Sequence, residues 1–301
     1  MKFLVYIIVY VSLWLLAHLP SRLLYIFSDI LYFFTYYVLA YRKKVVFGNM
    51  KKALPDYSEK EIKKTAKKYY SHFTDLMLES AIMHFISYER ATKLFKFTNP
   101  ELLVDLYNKE KQVVAVGGHY ANWEFLNHLE HYCDYTFIAI YKPLNNKYFD
   151  RLVQQKRAKY GSIVVPMSQV VRKLMDMKRE GNLAFTGFLS DQRPVYNTIQ
   201  YWTKFMGIDT PIYLGPEKIA KKLDAAVIFI NTRRVRRGYY ETHLEIITEN
   251  AKLEEPNMIT ETHVKMLERL IREEPAYWLW SHNRWKFSFE DFKKRHPNSK
   301  R

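Results

Sequence analysis

The residues of this 301-residue chain whose types and spacing could do chemistry are a histidine and a carboxylate separated by four residues, His119 and Glu124. A histidine is suited to general-base catalysis because its ordinary pKa lies close to neutral pH. A neighbouring carboxylate can fix the tautomer of the imidazole and stabilise the imidazolium that forms. The pair therefore predicts that His119 removes the proton of an attacking hydroxyl and that Glu124 orients it.

The spacing alone is weak support, because ten histidines and 31 acidic residues give about one such pair by chance. The chain contains three of them: His84/Glu89, His119/Glu124 and His263/Glu268. The first and the third lie in helical, charged stretches, where a histidine is commonly a surface or core-edge residue. His119 alone follows an apolar run and a Gly-Gly turn, so its context selects it.

Two other chemistries use the same segment. Glu124, His128 and His131 fall on one face of a helix, with Cys133 nearby, and this spacing can ligate zinc. A metal-dependent membrane hydrolase is therefore an alternative. Cys133 could instead serve as a covalent nucleophile in a two-step transfer. As the single cysteine, it cannot form a disulfide within the chain.

Short apolar runs alternate with amphipathic stretches and must position these residues. The predicted strands are Gln112–Val116, Thr136–Tyr141, Ser162–Pro166, Leu183–Leu189, Ala225–Asn231 and Tyr239–Ile247. The predicted helices are 58–72, 74–87, 100–109, 121–132, 146–160, 168–179, 215–223 and 259–273, the first with a Ser58/Glu61 capping box. This alternation predicts an α/β fold with a mostly parallel sheet covered by helices.

Sites in such sheets lie at the carboxyl ends of the strands. His119 follows the first predicted strand, Lys142 the second, and Asp191 and Gln192 the fourth. A structural reading of the last three is also open, because proline marks a turn after each strand and aspartate can cap one.

The N-terminus indicates a membrane. Residues 3–21 carry no charge, and nineteen helical residues at about 1.5 Å each give about 28 Å, close to the thickness of a bilayer core. Residues 23–41 carry one charge, Asp29, and favour a helix at the interface. A cleaved signal peptide or a buried hairpin are the alternatives. We expect an anchor over 1–41, a catalytic domain over 42–286 and a polar tail over 287–301.

The net charge of +16 predicts an anionic partner. Four segments hold the excess: 42–70 (+7), 142–179 (+8), 233–237 (+4) and 284–301 (+5). We expect them to form one basic face toward anionic headgroups, and the basic flank of the anchor predicts a cytoplasmic catalytic domain. A nucleic-acid-binding protein is a further alternative, although no recognition motif is present and an apolar anchor would be unnecessary.

Several segments, taken in order, resemble the bacterial lipid A late acyltransferase family (the lauroyl/myristoyl type, similar to lysophospholipid acyltransferases). They are GGHYANWEF (117–125), IYKPLNNKYFDRLVQQKRAKYG (140–161), EGNLAFTGFLSDQ (180–192), KFMGIDT (204–210) and YWLWSHNRWKF (277–287). The chain departs from the family pattern where Ala121 replaces a common glycine and Met206 an aromatic residue, and at Asn283 and Trp285. The resemblance therefore leaves the acceptor and the acyl length open.

The resemblance implies a membrane-bound enzyme at the cytoplasmic face of the bacterial inner membrane. It would move a fatty acyl chain from acyl carrier protein, or from coenzyme A, to a hydroxyl of a lipid A precursor; another polar lipid is the alternative acceptor. No metal or redox cofactor is expected. His119 and Glu124 would be catalytic. The residues expected to contact substrate are Asn122, Lys142, Arg151, Arg157, Asp191, Gln192, Thr210 and Arg284.

Overall fold

A computed structural model of the protein describes residues 2–295, with the backbone alone for Lys2 and residues 126–128. A seven-stranded sheet in the order β1-β9-β8-β2-β5-β3-β4 forms its centre, beside a two-stranded hairpin of β6 and β7. The strands are β1 (Phe95–Phe97), β2 (Val113–Gly117), β3 (Thr136–Tyr141), β4 (Ile163–Pro166), β5 (Ala184–Leu189), β6 (Tyr201–Phe205), β7 (Ile208–Ile212), β8 (Ala226–Arg236) and β9 (Tyr239–Thr248). β2, β3, β4, β5 and β8 are parallel, whereas β9 is antiparallel to β8 and β1 is parallel to β9.

Helices cover the sheet and also form the N-terminal segment. They are α1 (Lys2–His18), α2 (Ser21–Phe33), α3 (Lys43–Ala53), α4 (Glu59–Ile82), α5 (Tyr88–Leu94), α6 (Glu101–Asn108), α7 (Lys147–Arg157), α8 (Val170–Arg179), α9 (Gly215–Leu223), α10 (Met258–Glu273) and α11 (Phe289–Arg295). Every residue of β2 is buried, as expected for a central strand with helices on both faces. The predicted α/β fold with a mostly parallel sheet is confirmed.

All six predicted strands are present, and β8 continues five residues past its predicted end, to Arg236. Three strands were not predicted. β1 has three residues, too few for a pattern to stand out. The β6–β7 hairpin turns at Met206 and Gly207, which have φ of 53° and 77°. Two positive φ angles are typical of a type I′ turn, but methionine is not a residue that signals one.

The helices α3, α5 and α11 were not predicted, and two predicted helical segments differ in form. α4 is one continuous helix of 24 residues, where the sequence predicts two helices, and its Ser58/Glu61 capping box is confirmed. The segment Trp123–Tyr132, predicted as an α-helix, is a 3-10 helix. Its N-cap is Asn122, whose side chain accepts a hydrogen bond from the backbone N–H of Glu124.

The N-terminal segment folds as two helices and a short π-helical turn, Phe34–Val38. Within residues 2–295, no single helix is both long enough and apolar enough to cross a bilayer. Residues 21–38 together with α3 meet that criterion as a pair, but they are bent by 87°, and α1 is apolar but shorter. α1 ends at His18, two residues before Pro20, because proline disfavours helical backbone in the residue before it.

The last part of the described chain is also ordered. α11 lies within the segment that the sequence predicts as a polar tail, and its Phe292 is buried. The ring of Phe292 packs against Trp202 of β6. Residues 296–301 of the predicted tail lie outside the described part of the chain.

Candidate active site

Two adjacent parallel strands bring the central pair of the site together. β2 and β5 are neighbours, and Gly117 at the end of β2 is paired with Leu189 at the end of β5. His119 and Asp191 each lie two residues beyond those positions. Because parallel strands end at the same edge of a sheet, the two side chains meet there although 72 residues separate them in sequence.

Asp191 holds His119 through two hydrogen bonds. The Nδ1 atom of His119 lies 2.6 Å from Oδ1 of Asp191, and the backbone N–H of His119 donates to Oδ2 at 3.0 Å. The indole N–H of Trp278 donates to the same Oδ2 at 2.8 Å. The side chain of Asp191 is 2 % exposed and that of His119 is 18 % exposed, so the imidazole alone reaches the surface.

The electrostatics of the pair follow from this geometry. Burial raises the pKa of Asp191, but the hydrogen bonds and the charge of His119 hold it well below its ordinary value. Burial also lowers the pKa of His119, yet Asp191 outweighs it and the pKa is raised overall. An ionised Asp191 accepts the Nδ1–H, which leaves the lone pair on Nε2. The side-chain amide of Gln192 lies 3.3 Å from this Nε2 atom.

Glu124 has a different place from the one that the sequence predicts. Its carboxylate is 2.8 Å from Nζ of Lys156, and the carboxylate hydrogen-bonded to His119 is that of Asp191. Burial raises the pKa of Glu124, but Lys156 and Arg157 lower it overall. Its negative charge still contributes to the raised pKa of His119. Asp191 therefore orients the histidine by hydrogen bonding, and Glu124 acts on it through charge.

We name residues 118–124 the reactive loop. Residues 277–279 hold its backbone by hydrogen bonds. The N–H of Leu279 donates to the carbonyl of His119 at 3.0 Å, and the N–H of Ala121 donates to the carbonyl of Tyr277 at 2.9 Å. Ala121 has φ of 51°, a left-handed conformation that favours glycine. Ala121 therefore has a backbone conformation that suits the glycine expected here from the family resemblance.

Gly118 is required by close packing. A Cβ atom at this position would lie 2.6 Å from Cδ1 of Leu267 on α10. The loop can therefore approach α10 closely only because residue 118 has no side chain.

Three of the residues expected to contact substrate are buried and hydrogen-bond to neighbouring residues of the protein. The Asn122 side chain donates to Glu79 at 2.7 Å, and the Thr210 hydroxyl accepts from the indole of Trp285 at 2.8 Å. Arg284 is fully buried and donates from Nη2 to the carbonyl of Pro211 at 2.8 Å. Its Nε and Nη1 atoms have no hydrogen-bond partner within residues 2–295, and burial lowers its pKa to about 9.

The other expected contacts are basic residues after β3. Lys142 and Arg151 are exposed. Arg157 donates from Nη1 to the carbonyl of Ile140 at 3.0 Å, and its Nε is buried with no partner in the described part of the chain. Lys142 lies at the same sheet edge as His119, because β3 is parallel to β5.

The residues of the two alternative chemistries are Cys133, for a covalent intermediate, and Glu124, His128 and His131, for a zinc site. Burial raises the pKa of Cys133 to about 11, whereas reactive cysteines have a lowered pKa. His131 lies between the rings of Tyr88 and Tyr160, and Glu124 is paired with Lys156. The side chain of His128 lies outside the described residues. Among the side chains that are described, no group of three histidine, cysteine or acidic residues is arranged to hold a metal ion.

The four basic segments do not all contribute to an open basic face. In 233–237, Arg234 is paired with the buried Asp75, and Arg237 with both Asp75 and Asp29. This segment is therefore largely neutralised, which corrects the expectation for it. Exposed lysines of 42–70 are Lys44, Lys51, Lys52, Lys60, Lys63, Lys64 and Lys68, of which Lys51 and Lys68 form ion pairs with Glu59 and Glu274.

Two residues of the candidate site were not predicted from the sequence. Trp278 fixes Asp191, and Lys156 fixes Glu124. Both lie within segments that carry the family resemblance, 277–287 and 140–161, and that was the signal available for them. Their partners are not close in sequence, so the spacing of residues could not pair them.

The fold and the site define an α/β protein with a histidine–carboxylate pair at the carboxyl edge of its sheet. The model of one family, described as bacterial lipid A biosynthesis acyltransferase, matches residues 1–287. The chain therefore belongs to this family, and it is an acyltransferase of the lipid A biosynthesis type. No protein with a curated description matches it.

Proposed function

We propose that this protein is a membrane-surface O-acyltransferase with His119 as its general base. It transfers a fatty acyl chain from the thioester of acyl carrier protein, or of coenzyme A, to a hydroxyl of a lipid A precursor. The observation that carries the proposal is the His119–Asp191 pair, in which Nδ1 is bonded to a buried carboxylate and the imidazole is partly exposed.

The first step joins the two substrates. Nε2 of His119 takes the proton of the acceptor hydroxyl, and the oxygen attacks the thioester carbonyl to form a tetrahedral oxyanion. The hydroxyl displaces the Gln192 amide from Nε2, and the 3.3 Å separation supports this amide as a donor to the oxyanion. Arg157 is the cationic candidate for the same role, since its Nε has no partner in the described part of the chain.

The second step releases the products. The oxyanion collapses, the C–S bond breaks, and the leaving thiolate takes the proton from the imidazolium of His119. Asp191 and Glu124 stabilise the imidazolium between the two steps, one by hydrogen bonding and one by charge. The product is an ester on the acceptor, and no acyl-enzyme forms.

The exposed apolar surface supports work at a membrane. Among the described residues, eighteen large apolar side chains within 3–41 are exposed, against fourteen in the rest of the chain. Isolated exposed apolar residues are normal, but a contiguous set marks an interaction site. We propose that α1 and α2 hold the enzyme at the bilayer, on the cytoplasmic face of the bacterial inner membrane.

Charge supports the choice of substrates. Lys142 and Arg151 are exposed near the edge that holds His119, and we assign them to the phosphates of the acceptor. The exposed lysines of 42–70 are a candidate surface for an acidic carrier protein.

The test is an acyl-transfer assay on the purified protein with a tetra-acylated lipid A precursor. Acyl carrier protein thioesters and coenzyme A thioesters of several chain lengths serve as donors, and mass spectrometry identifies the product. We expect a mass gain of one acyl chain, and loss of turnover in His119→Ala. Normal turnover by His119→Ala would refute the mechanism, and acylation of an added lysophospholipid or aminolipid alone would refute the acceptor.

A matched control uses the other histidine of this region. His131 lies at the far end of the 3-10 helix, against Tyr88 and Tyr160. We expect His131→Ala to retain turnover. Loss of activity in both variants, together with stoichiometric zinc in the purified protein, would favour the metal-dependent hydrolase.

A further inference from the structure

A buried carboxylate outside the reacting pair connects the N-terminal helices with the reactive loop. Glu79 on α4 is 4 % exposed, and its two oxygens accept three side-chain hydrogen bonds. The donors are Tyr25 of α2 at 2.7 Å, Asn122 of the reactive loop at 2.7 Å and Tyr240 of β9 at 2.8 Å. Asn122 in turn caps the backbone N–H of Glu124.

A second chain of contacts runs in parallel with the first. Ser28 of α2 donates to Asp75 at 2.7 Å, and Arg234 bonds Asp75 at 2.8 Å. Arg234 also donates to Nδ1 of His72 at 3.1 Å. The Nε2–H of His72 then donates to the carbonyl of Ala121 at 3.2 Å. Two consecutive loop residues, 121 and 122, are therefore connected to α2 through buried polar groups.

The two sides of α2 differ in character. The side with Tyr25 and Ser28 bonds to α4, and Gly238 makes room for it, because a Cβ atom there would overlap the Tyr25 hydroxyl. Apolar side chains of the same helix are exposed: Leu23, Ile26, Phe27, Ile30 and Phe33. The helix proposed to face lipid is thus also the one that bonds to the buried network.

From these contacts we propose that Glu79 is a positioning residue for the reactive loop, and that it acts only while α2 is seated against α4. Glu79 does not touch the reacting atoms. It fixes Asn122, which lies between His119 and Glu124, and the Tyr25 hydroxyl completes its set of donors. This inference rests on the proposed function insofar as the loop carries the general base.

The geometry gives the expected consequence of losing a donor. Glu79 and Asn122 are buried, so a carboxylate oxygen that loses one hydrogen-bond donor moves or binds another. Displacement of Asn122 would shift the loop on which His119 lies. The effect is on the orientation of the base, and therefore on kcat rather than on binding of the thioester substrate.

The first test is kinetic. Tyr25→Phe and Glu79→Gln should each lower kcat about tenfold with an unchanged KM for the thioester donor. The double variant should be no slower than Glu79→Gln, because Tyr25 acts through Glu79. Tyr32→Phe is the matched control: it removes a hydroxyl from the same helix, from a ring that packs on Tyr36 and Tyr37. Multiplying effects in the double variant, or an equal loss in the control, would overturn the proposal.

The second test needs no catalysis. The loop amides of His119, Ala121 and Glu124 are each hydrogen-bonded, so amide hydrogen exchange reports directly on loop order. In the full-length protein, residues 118–124 should exchange faster in Tyr25→Phe and Glu79→Gln than in wild type and Tyr32→Phe. Unchanged exchange in both variants would refute the positioning role. If wild-type protein transferred no acyl chain, the proposed function would fail, and this measurement would still decide whether Glu79 orders the loop.

Discussion

The N-terminal helices and the α/β body use the same residue types in opposite ways. Trp14 in α1 is 47 % exposed, whereas Trp278 and Trp280, beside the active site, are 1 % and 0 % exposed. The body buries aromatic side chains around Asp191 and the reactive loop, whereas the N-terminal segment leaves all of its described aromatic side chains except Tyr36 exposed or half-buried. Apolar residues thus surround the His119–Asp191 pair in one region and form an exposed surface in the other.

In the proposed function, the α/β body and the N-terminal helices have different tasks. The body sets the distance between a base and its carboxylate, which requires buried, fully bonded side chains. In the proposed function, the N-terminal helices determine where that base works, which requires exposed apolar area. Substitutions in the body should change the chemistry, and substitutions on the outer surface of α2 should change location alone.

The largest effect is expected for Asp191→Asn. The amide cannot serve as the carboxylate that fixes the tautomer of His119 and stabilises its imidazolium, so kcat should fall by about 10²- to 10⁴-fold. Steady-state kinetics of acyl transfer measure this. Asp176→Asn is the control, because Asp176 forms an ion pair with Arg179 on α8. A loss of less than tenfold would show that Asp191 does not orient the base.

The next largest effect is expected on binding to membranes. Burying one isoleucine side chain contributes about 1.5–3 kcal/mol, so the double variant Ile26→Ser and Ile30→Ser should bind vesicles at least tenfold more weakly. Its unfolding free energy should change by no more than about 0.5 kcal/mol per site. Sedimentation with anionic vesicles measures the binding, and Val235→Ser, on an exposed site of the body, is the control. Unchanged binding would mean that α2 does not contact lipid.

A smaller effect is expected on stability. Gly118→Ala forces a methyl group against Leu267, and overpacking of this kind costs about 1–3 kcal/mol of unfolding free energy in urea denaturation. Gly187→Ala is the matched control, because its Cβ atom would meet nothing within 4 Å. Equal stability of the two variants would contradict the close packing of the reactive loop on α10.

The smallest effect is that of salt. If exposed lysines and arginines recruit anionic substrates, raising the ionic strength should lower acyl transfer a few-fold, while the apolar helices keep the protein on vesicles. Parallel measurement of turnover and sedimentation separates the two. Release of the protein at the same salt concentration that lowers turnover would show that charge, not the apolar surface, holds it there.

The sequence predicted the sheet well because its strands are continuous apolar runs bounded by turn residues. It placed His119 at the carboxyl edge of that sheet for the same reason, since that residue follows such a run. It paired His119 with Glu124 because Glu124 is near in sequence, whereas the carboxylate bonded to His119 is that of Asp191, which becomes a neighbour only through the adjacency of β2 and β5. Strand order is a long-range property that the pattern of a single strand does not contain.

The N-terminus shows the same limit. An uninterrupted apolar stretch predicts one long helix, but Pro20 ends α1 at His18.

Arg234 and Arg237 were assigned to a basic surface because their sequence neighbours are basic. Asp75 on α4 and Asp29 on α2 neutralise them instead. Charge in a sequence segment becomes surface charge only where the fold provides no partner.

The most direct measurement of the central claim is the pH dependence of kcat in wild type and Asp191→Asn. His119 must be neutral to accept a proton, so kcat should fall as the pH drops through its raised pKa. Without the carboxylate, burial lowers that pKa, and the acid-side inflection should move to lower pH while kcat is smaller throughout. An inflection that stays at the same pH in both proteins would contradict the assignment of His119 and Asp191 as the catalytic pair.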